Sequence, residues 1–518
     1  MLCESKGNVL ESSFELTYQT KKQLTLIGFA LRRFAAGIDY MIIMPTLWFY
    51  LDSFNSRYYF LGLVIAADSL VCFLLSPLVE AIVERTQKVR VFGFLANLLQ
   101  IAGSMIYALP LRFYMPLVGR LVSGAGESFG GALYREIKRV TSPEERNRVM
   151  IIMEGVRLFG IVIGPGMNFF LKHFDLRFGP WVIDERTAPG FFMAIVWLLV
   201  QVVHMFTVYD LHDDAPQPYK ELPSDDERPF HDEQPKGHPP IDETADHEAR
   251  ASRDESEATS DNEDDQHSEK IELETYDDDN DNRNIVEETK SPSKNNAARV
   301  APTYSEDIPM VSGKESILEL LSRHDVIIIL LAQFLMFFNQ TAFETLVLLI
   351  GVEKLGFTIN ILSIVFIVAG VEMVAVIIFV WSANKSIDAK YLLLTCLSAG
   401  ILSSFARLAI TFAKSHSYGI VAMTLLMGFF TIIGTPLASI AGKSLLPKIT
   451  RVETHGFYQA AFSTAQHLGL ITGSLVASVL YNYLVIFSSL MIVLFIVVYT
   501  MTLFVVDKLN IPAQGCGK

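Results

Sequence analysis

Charge is thin along most of this 518-residue chain, and cysteine is thinner still. Charged residues make up 19% of the whole, against about 25% in an average soluble domain. Even that figure flatters the body of the chain. Residues 211–310 hold 30 acidic and 10 basic side chains, which leaves 26 acidic and 32 basic for everything else. The net charge of −14 thus describes one insert, and the remainder carries +6. Such a deficit excludes a soluble enzyme as the default, and no basic nucleic-acid surface is present. The four cysteines, Cys3, Cys72, Cys396 and Cys516, lie in the tails or within apolar runs, so they offer neither a disulfide framework nor a metal site. Glycine-rich stretches fall inside apolar runs rather than after strands, and no nucleophile motif gathers Ser, His and Asp, so no cofactor and no enzymatic activity is expected. The first 22 residues are polar and acidic without a signal-peptide layout, and the first apolar run is expected to stay in the mature protein.

What the chain has in quantity is apolar runs of about 20 residues, the length that crosses a bilayer. They fall near 23–51, 59–80, 91–110, 114–137, 149–171 and 190–209, then near 326–350, 358–382, 391–413, 418–441, 456–482 and 484–506. The pattern predicts an all-α polytopic membrane protein of twelve transmembrane helices in two six-helix bundles, at 23–210 and 326–507. A tail of 1–22, a linker of 211–325 and a tail of 508–518 complete the expected organisation. Arginine and lysine concentrate in the 2–3 loop (Arg85, Lys88, Arg90) and the 4–5 loop (Arg135, Lys138, Arg139, Arg146, Arg148), with Lys385, Lys390, Lys443, Lys448 and Arg451 in the second half. The positive-inside rule then places both termini and the linker in the cytosol.

The linker is rich in Asp, Glu, Ser, Asn and Pro and buries too little apolar surface to repay ordering, so disorder is expected there. Its histidines lack metal-ligand spacing. Tyr219 and Leu222 form a Tyr-x-x-Leu element of the kind clathrin adaptors read, and its plainer reading is chance.

Three motifs narrow the class. Arg120-Leu-Val-Ser-Gly124-Ala-Gly126 in span 4 resembles the Arg-x-x-x-Gly-x-Gly signature of the major facilitator superfamily. Gly160-Ile-Val-Ile-Gly164-Pro165 in span 5 is similar to its Gly-Pro motif, with Asn168 where glycine is usual. The loop after span 2 resembles the Gly-x-x-x-Asp-Arg-x-Gly-Arg gating motif: Glu84 and Arg85 keep its charges, while Glu80 and Gln87 replace its glycines. Leu-Trp-Phe-Tyr-Leu at 47–51, Ser76-Pro77, Thr141-Ser-Pro-Glu-Glu-Arg146 and Gly164-Pro165 further resemble the lysosomal facilitator family associated with neuronal ceroid lipofuscinosis. That resemblance implies an endolysosomal carrier of a small solute or anion.

Ionisable side chains at membrane depth are costly and point to partners or a watery cavity. Arg32 and Asp39 share a face of span 1, while Arg120, Gly124, Glu127 and Gly131 form a stripe on span 4. Glu154, Arg157, Gly164 and Asn168 do so on span 5, and Gln333, Gln340 and Glu344 on span 7. Spans 1, 4, 7 and 10 line the cavity in the superfamily, so the resemblance makes Asp39, Arg120, Glu127, Asn339, Gln340 and Glu344 the cavity candidates. Arg407, if it faced Arg120 from the other half, would favour an anionic substrate. Glu84, Arg85, Gly160, Gly164 and Pro165 are the gating and hinge candidates. Each has a structural alternative: Arg120 or Arg157 pairing with Glu127 or Glu154, glycines as packing surfaces, Arg32 and Arg33 snorkelling. For proton coupling the acidic candidates are Asp39, Glu127, Glu344 and Glu372, followed by His204 and His467. Three functions fit: a secondary transporter working by alternating access, an anion (chloride) channel on the same fold, or a scaffold recruiting partners through the linker.

Overall fold

The computed structural model describes residues 17–178, 181–211, 323–382, 388–413, 417–450 and 455–505. Tyr219 and Leu222, and the linker between 212 and 322, lie outside the described residues. Helices fill nearly all the rest. Span 1 is α1 (Tyr18–Ile42) and α2 (Met44–Asp52); span 2 is α3 (Tyr58–Thr86) and span 3 is α4 (Val89–Tyr107). Span 4 is α5 (Met115–Glu127) and α6 (Phe129–Val140), span 5 is α7 (Pro143–Leu171) and span 6 is α8 (Ala188–Thr207). The second half follows with α9 (His324–Leu349), extended by a π-turn over Ile350–Lys354, then α10 (Ile359–Ser382) and α11 (Ala389–Ile410). It ends with α12 (Tyr418–Ile449), α13 (His455–Val479) and α14 (Leu484–Val505). One short hairpin interrupts the helical pattern, β1 (Leu176–Phe178) against β2 (Trp181–Ile183), with Leu176 opposite Ile183 in the loop between spans 5 and 6.

Among the described residues, nine helices and the α1–α2 pair are long and apolar enough to cross a membrane. The two weaker spans have chemical reasons. Span 4 carries Gly124, Gly126, Gly130 and Gly131 and breaks at Ser128, whose hydroxyl donates to Ala125 O at 2.6 Å. Span 11 is diluted by Gln459, Ser463, Thr464, Gln466 and His467. Large apolar side chains such as Leu74, Leu198, Phe206, Phe379 and Phe504 stand exposed on the outer faces, which only a lipid environment satisfies.

Helix neighbours repeat between the halves. Spans 1 and 5 pack together as spans 7 and 11 do; 3 with 4 is matched by 9 with 10, and 3 with 6 by 9 with 12. The halves meet through spans 2 and 11 on one side and 5 and 8 on the other.

Span 1 bends by 42° between α1 and α2. Pro45 has no N–H to give the ladder, and the Thr46 N–H bonds Ile43 O at 3.2 Å. Asn168 Nδ2 of α7 donates to Ile42 O at 2.9 Å, which explains a polar residue where the resembled motif has glycine. Gly37, Gly160 and Gly164 let α1 and α7 touch backbone to backbone: a Cβ on Gly164 would lie 2.9 Å from Ile38 O. Gly160→Val should therefore force the two helices apart and cost about 1–3 kcal/mol, read as a lowered detergent melting temperature. Gly155→Ala, with nothing within 4 Å of an added Cβ, should leave it unchanged or raise it.

Candidate functional site: a charged centre between the bundles

Arg120 is the hinge pin of the first bundle. It is 4% exposed, and it lies between two carboxylates from different helices. Nη1 donates to Asp39 Oδ2 of α1 at 3.2 Å, and Nη2 is 3.5 Å from Asp68 Oδ2 of α3. The glycines around it make the approach possible. A Cβ on Gly124 would lie 2.5 Å from Asp68 O, and one on Gly119 would lie 2.7 Å from Gly103 O of α4. Asp68 was not foreseen, although its signal was present: a lone carboxylate in the apolar run Val64-Ile-Ala-Ala-Asp68. The expected pairing of Arg120 with Glu127 does not form, because α3 supplies a nearer acid.

Glu127 belongs to a second cluster, about two turns toward the 2–3 loop end. Arg33 Nη1 bonds Glu127 Oε1 at 3.1 Å, its Nη2 is 3.8 Å from Glu154 Oε1, and its guanidinium lies 5.2 Å from the Tyr134 ring centroid. The Tyr134 hydroxyl donates to Glu154. Arg32 donates to Asn97 Oδ1 and to Gly126 O at 2.8 Å, and it sits 5.3 Å from both the Phe129 and Trp197 rings. Both arginines are buried with polar or aromatic partners, so the snorkelling alternative is corrected. Glu154 pairs with Arg33, not with Arg157.

Between the bundles, the Tyr40 hydroxyl of α1 donates to Glu344 Oε2 of α9 at 2.8 Å, and Gln340 Nε2 donates to Glu344 Oε1 at 3.0 Å. Nearer the 1–2 loop end, Trp48 Nε1 of α2 donates to Glu353 Oε1 at 3.2 Å. Trp48 packs at a tilt of 40° against Tyr58, ring centroids 5.3 Å apart, and Tyr58 meets Tyr481 edge-on at 4.8 Å. This chain of aromatic rings closes the seam at that end. Arg157 of α7 stands within electrostatic reach of Tyr40, Glu344, Asp68 and Glu154, side chains drawn from four helices. Its Nε is buried without a hydrogen-bond partner, and among the described residues no carboxylate forms an ion pair with it.

Arg407 and Asn339 are elsewhere. Arg407 is fully buried inside the second bundle; Nη2 donates to Asn339 Oδ1 at 2.8 Å and Ser404 Oγ at 3.0 Å, with the Phe487 ring 4.7 Å away. Asn339 Nδ2 in turn reaches Ser403 Oγ at 3.3 Å and Thr431 Oγ1 at 3.1 Å. Arg407 and Asn339 are thus bonded to each other inside the second bundle among the hydroxyls of α11 and α12, with Arg407 Nε and Nη1 unbonded, and the expectation that Arg407 faces Arg120 is corrected. His204 is buried against Gly93 with Nε2 2.9 Å from Arg90 O, and His467 bonds Ser463 O of its own helix, so neither joins the centre.

At the gating loop, Glu84 and Glu80 both clasp Arg135 of α6, the latter at 3.5 Å, and Gly131 leaves room for the Glu80 side chain. Glu80 thus replaces a motif glycine because the facing helix provides one. Arg85 is exposed and takes no part in this clasp. Gln87, also at a motif glycine, has φ 55°, a left-handed conformation that glycine adopts without strain.

Two repeated bundles with an ionisable centre between them define a membrane transporter fold. The chain belongs to the major facilitator superfamily, whose family model matches residues 29–448. Among solved structures it is similar to a D-xylose–proton symporter, at 12% identity and TM-score 0.59 over 95% of this chain and 99% of that one. It is also similar to the nucleoside transporter NupG, at 10% identity and TM-score 0.56 over 93% and 99%. The human organic anion transporter MFSD10 is a third, at 14% identity and TM-score 0.51 over 94% and 100%. No curated protein sequence matches.

Removing Arg120 strands two buried carboxylates, whereas removing Asp68 leaves the Asp39 pair intact. Arg120→Gln should therefore destabilise by about 3–5 kcal/mol. Adding Asp68→Asn to it should cost less than the sum of the two single losses, by about 0.5–3 kcal/mol, in a double-mutant cycle of melting measurements.

Proposed function

We propose that the protein is a proton-coupled carrier of a small organic anion, working by alternating access between the two bundles. The observation that carries this reading is Arg157, a half-buried guanidinium near the central carboxylates that forms no ion pair among the described residues and whose Nε lacks a hydrogen-bond partner. Because it is half-buried, an anion can reach it and complete it with charge-assisted hydrogen bonds. Arg120, by contrast, already holds two carboxylates and has no free charge to offer a substrate. Glu344 supports the proton role. It bridges span 1 and span 7 through Tyr40, so its protonation state can be read by both bundles at once. A carboxylate accepts both the Tyr40 and Gln340 hydrogen bonds; a carboxylic acid would spend one oxygen as a donor and loosen the seam. The aromatic contacts of Trp48, Tyr58 and Tyr481 would then be the part that separates when the 1–2 loop end opens.

The narrower resemblance at 47–51, Ser76-Pro77 and 141–146 supports an endolysosomal membrane, and the basic 2–3 and 4–5 loops support cytosolic termini. Tyr219 and Leu222 would offer clathrin adaptors a sorting element. Glu84 with Glu80 and Arg135 would act as the clasp at the cytosolic gate, and Gly160, Gly164 and Pro165 as the surface on which span 5 moves against span 1.

The test is uptake by proteoliposomes of a panel of mono- and dicarboxylates, with chloride, under an imposed pH gradient. A pH-driven, saturable anion flux is expected. Arg157→Gln should lower it about tenfold to a hundredfold, the worth of a charge-assisted hydrogen bond, with partial recovery in Arg157→Lys. Glu344→Gln should lose pH-driven accumulation yet keep exchange of labelled for unlabelled substrate. Unsaturable chloride current indifferent to pH would instead make the protein a channel, and equal flux in wild type and Arg157→Gln would remove the anion site.

A further inference from the structure

The centre between the bundles is not the only place where a carboxyl group stands in an apolar setting. A second lies on the outer side of the second bundle, in a groove of about 250 Å³ between α10 and α12. Its walls are Val365 and Val368 from one helix and Leu425 and Phe429 from the other, and Glu372 and Thr424 are its two polar side chains that can bond. The opening is toward lipid. Ile361, Ile364, Val368, Val371, Ala375 and Ile378 recur at three- and four-residue steps as the exposed stripe of α10, and Val368 and Leu425, at 58% and 54% exposure, form the lips of the groove.

Glu372 lies thirteen residues along α10, about 20 Å from its start and close to mid-membrane. The helix contains no Lys or Arg, and α12 contains none before Lys443. Among the described residues, no charged side chain acts on the carboxyl group. Its Oε1 is buried and bonds to nothing, and so is Oγ1 of Thr424, a residue 4% exposed. Glu372, expected as a proton-coupling candidate, is thus turned away from the central charges. Two orphaned acceptors in one apolar groove cost several kcal/mol between them unless a donor supplies the missing bonds.

We infer that this groove binds a lipophilic primary amine from the bilayer, its ammonium donating to Glu372 and Thr424 and its hydrocarbon chain lying along Val365, Val368, Leu425 and Phe429. An ammonium group has three donors and a charge opposite to that of the carboxylate, which suits two acceptors better than a hydroxyl with its single donor. A long alkyl tail suits the open lips, because it continues onto the exposed stripe of α10 and remains in contact with lipid. The site is separate from the Arg157 centre and opposite to it in charge preference, so it stands whether or not that centre carries anions.

The experiment uses the full chain in lipid nanodiscs with dodecylamine, and with dodecanol and laurate as chain-matched controls. Saturable binding of radiolabelled dodecylamine is expected, with dodecanol and laurate at least tenfold weaker. Glu372→Gln should weaken the amine at least tenfold while keeping the melting temperature of the ligand-free protein, and Thr424→Val should weaken it less. Equal amine affinity in wild type and Glu372→Gln, or dodecanol binding as tightly as the amine, would overturn the proposal. So would efficient cross-linking between copies carrying cysteine at Val368 in the bilayer, which would make the groove a contact between two chains. Should Glu372→Gln fail to fold, Thr424→Val together with the dodecanol comparison still decides: no loss in that variant and no preference for the amine would overturn it.

Discussion

The pairing of one guanidinium with two carboxylates governs the first bundle. Arg120 takes a charge from α5 to α1 and α3 at once, and none of the three groups could sit at that depth alone. The demand propagates outward. To bring α5 within reach of α3, the contact must be made of backbone, which is why Gly124 faces Asp68 and Gly119 faces Gly103. Those same glycines weaken span 4 as a helix, and it breaks at Ser128 soon after them. The second charged cluster, Arg33 with Glu127 and Glu154, begins where that break redirects the chain.

The two bundles share a plan of helix contacts but not a chemistry. The first is crossed by ion pairs between helices, whereas the inner contacts of the second are made by Asn339, Ser403, Thr431 and the hydroxyl-bound Arg407. Ion pairs between helices are thereby concentrated in the first half, and at the seam Glu344 is the second half's contribution. Amide and hydroxyl hydrogen bonds, with Arg407 among them, join α9, α11 and α12 of the second bundle.

Much of this was legible in the residues. Apolar runs of membrane length gave the spans and the two halves, and the signature around Arg120 pointed to the superfamily that the family match then established. The centre was legible only in part. Glu344 and Gln340 meet span 1 through Tyr40, whereas Asp39, the neighbouring residue, pairs with Arg120. Their partners were not readable, because which carboxylate meets which arginine depends on helix rotation, and a helical stripe fixes rotation only to within a residue or two. Asp68 was hidden for that reason, and Arg407 was misdirected for it: one turn of α11 decides between a cavity and a bundle interior. The bend at Ile43 was hidden too, since Pro45 marks a weak point but not the direction of the kink.

That bend divides the labour of span 1. Asp39 and Tyr40 lie before it and Trp48 lies after it, so the residues that hold charge and the residue that stoppers the seam ride on different pieces of one helix. A single residue, Ile43, joins the pieces, and the Asn168 amide steadies the joint from α7. The nine-residue segment α2 is held by its own bonds, Trp48 to Glu353 and the Tyr50 hydroxyl to Tyr107 O at 3.1 Å, neither of which involves Asp39 or Arg120. The contacts that anchor the end of span 1 and those that hold its charge are thus two separate sets, divided at one residue.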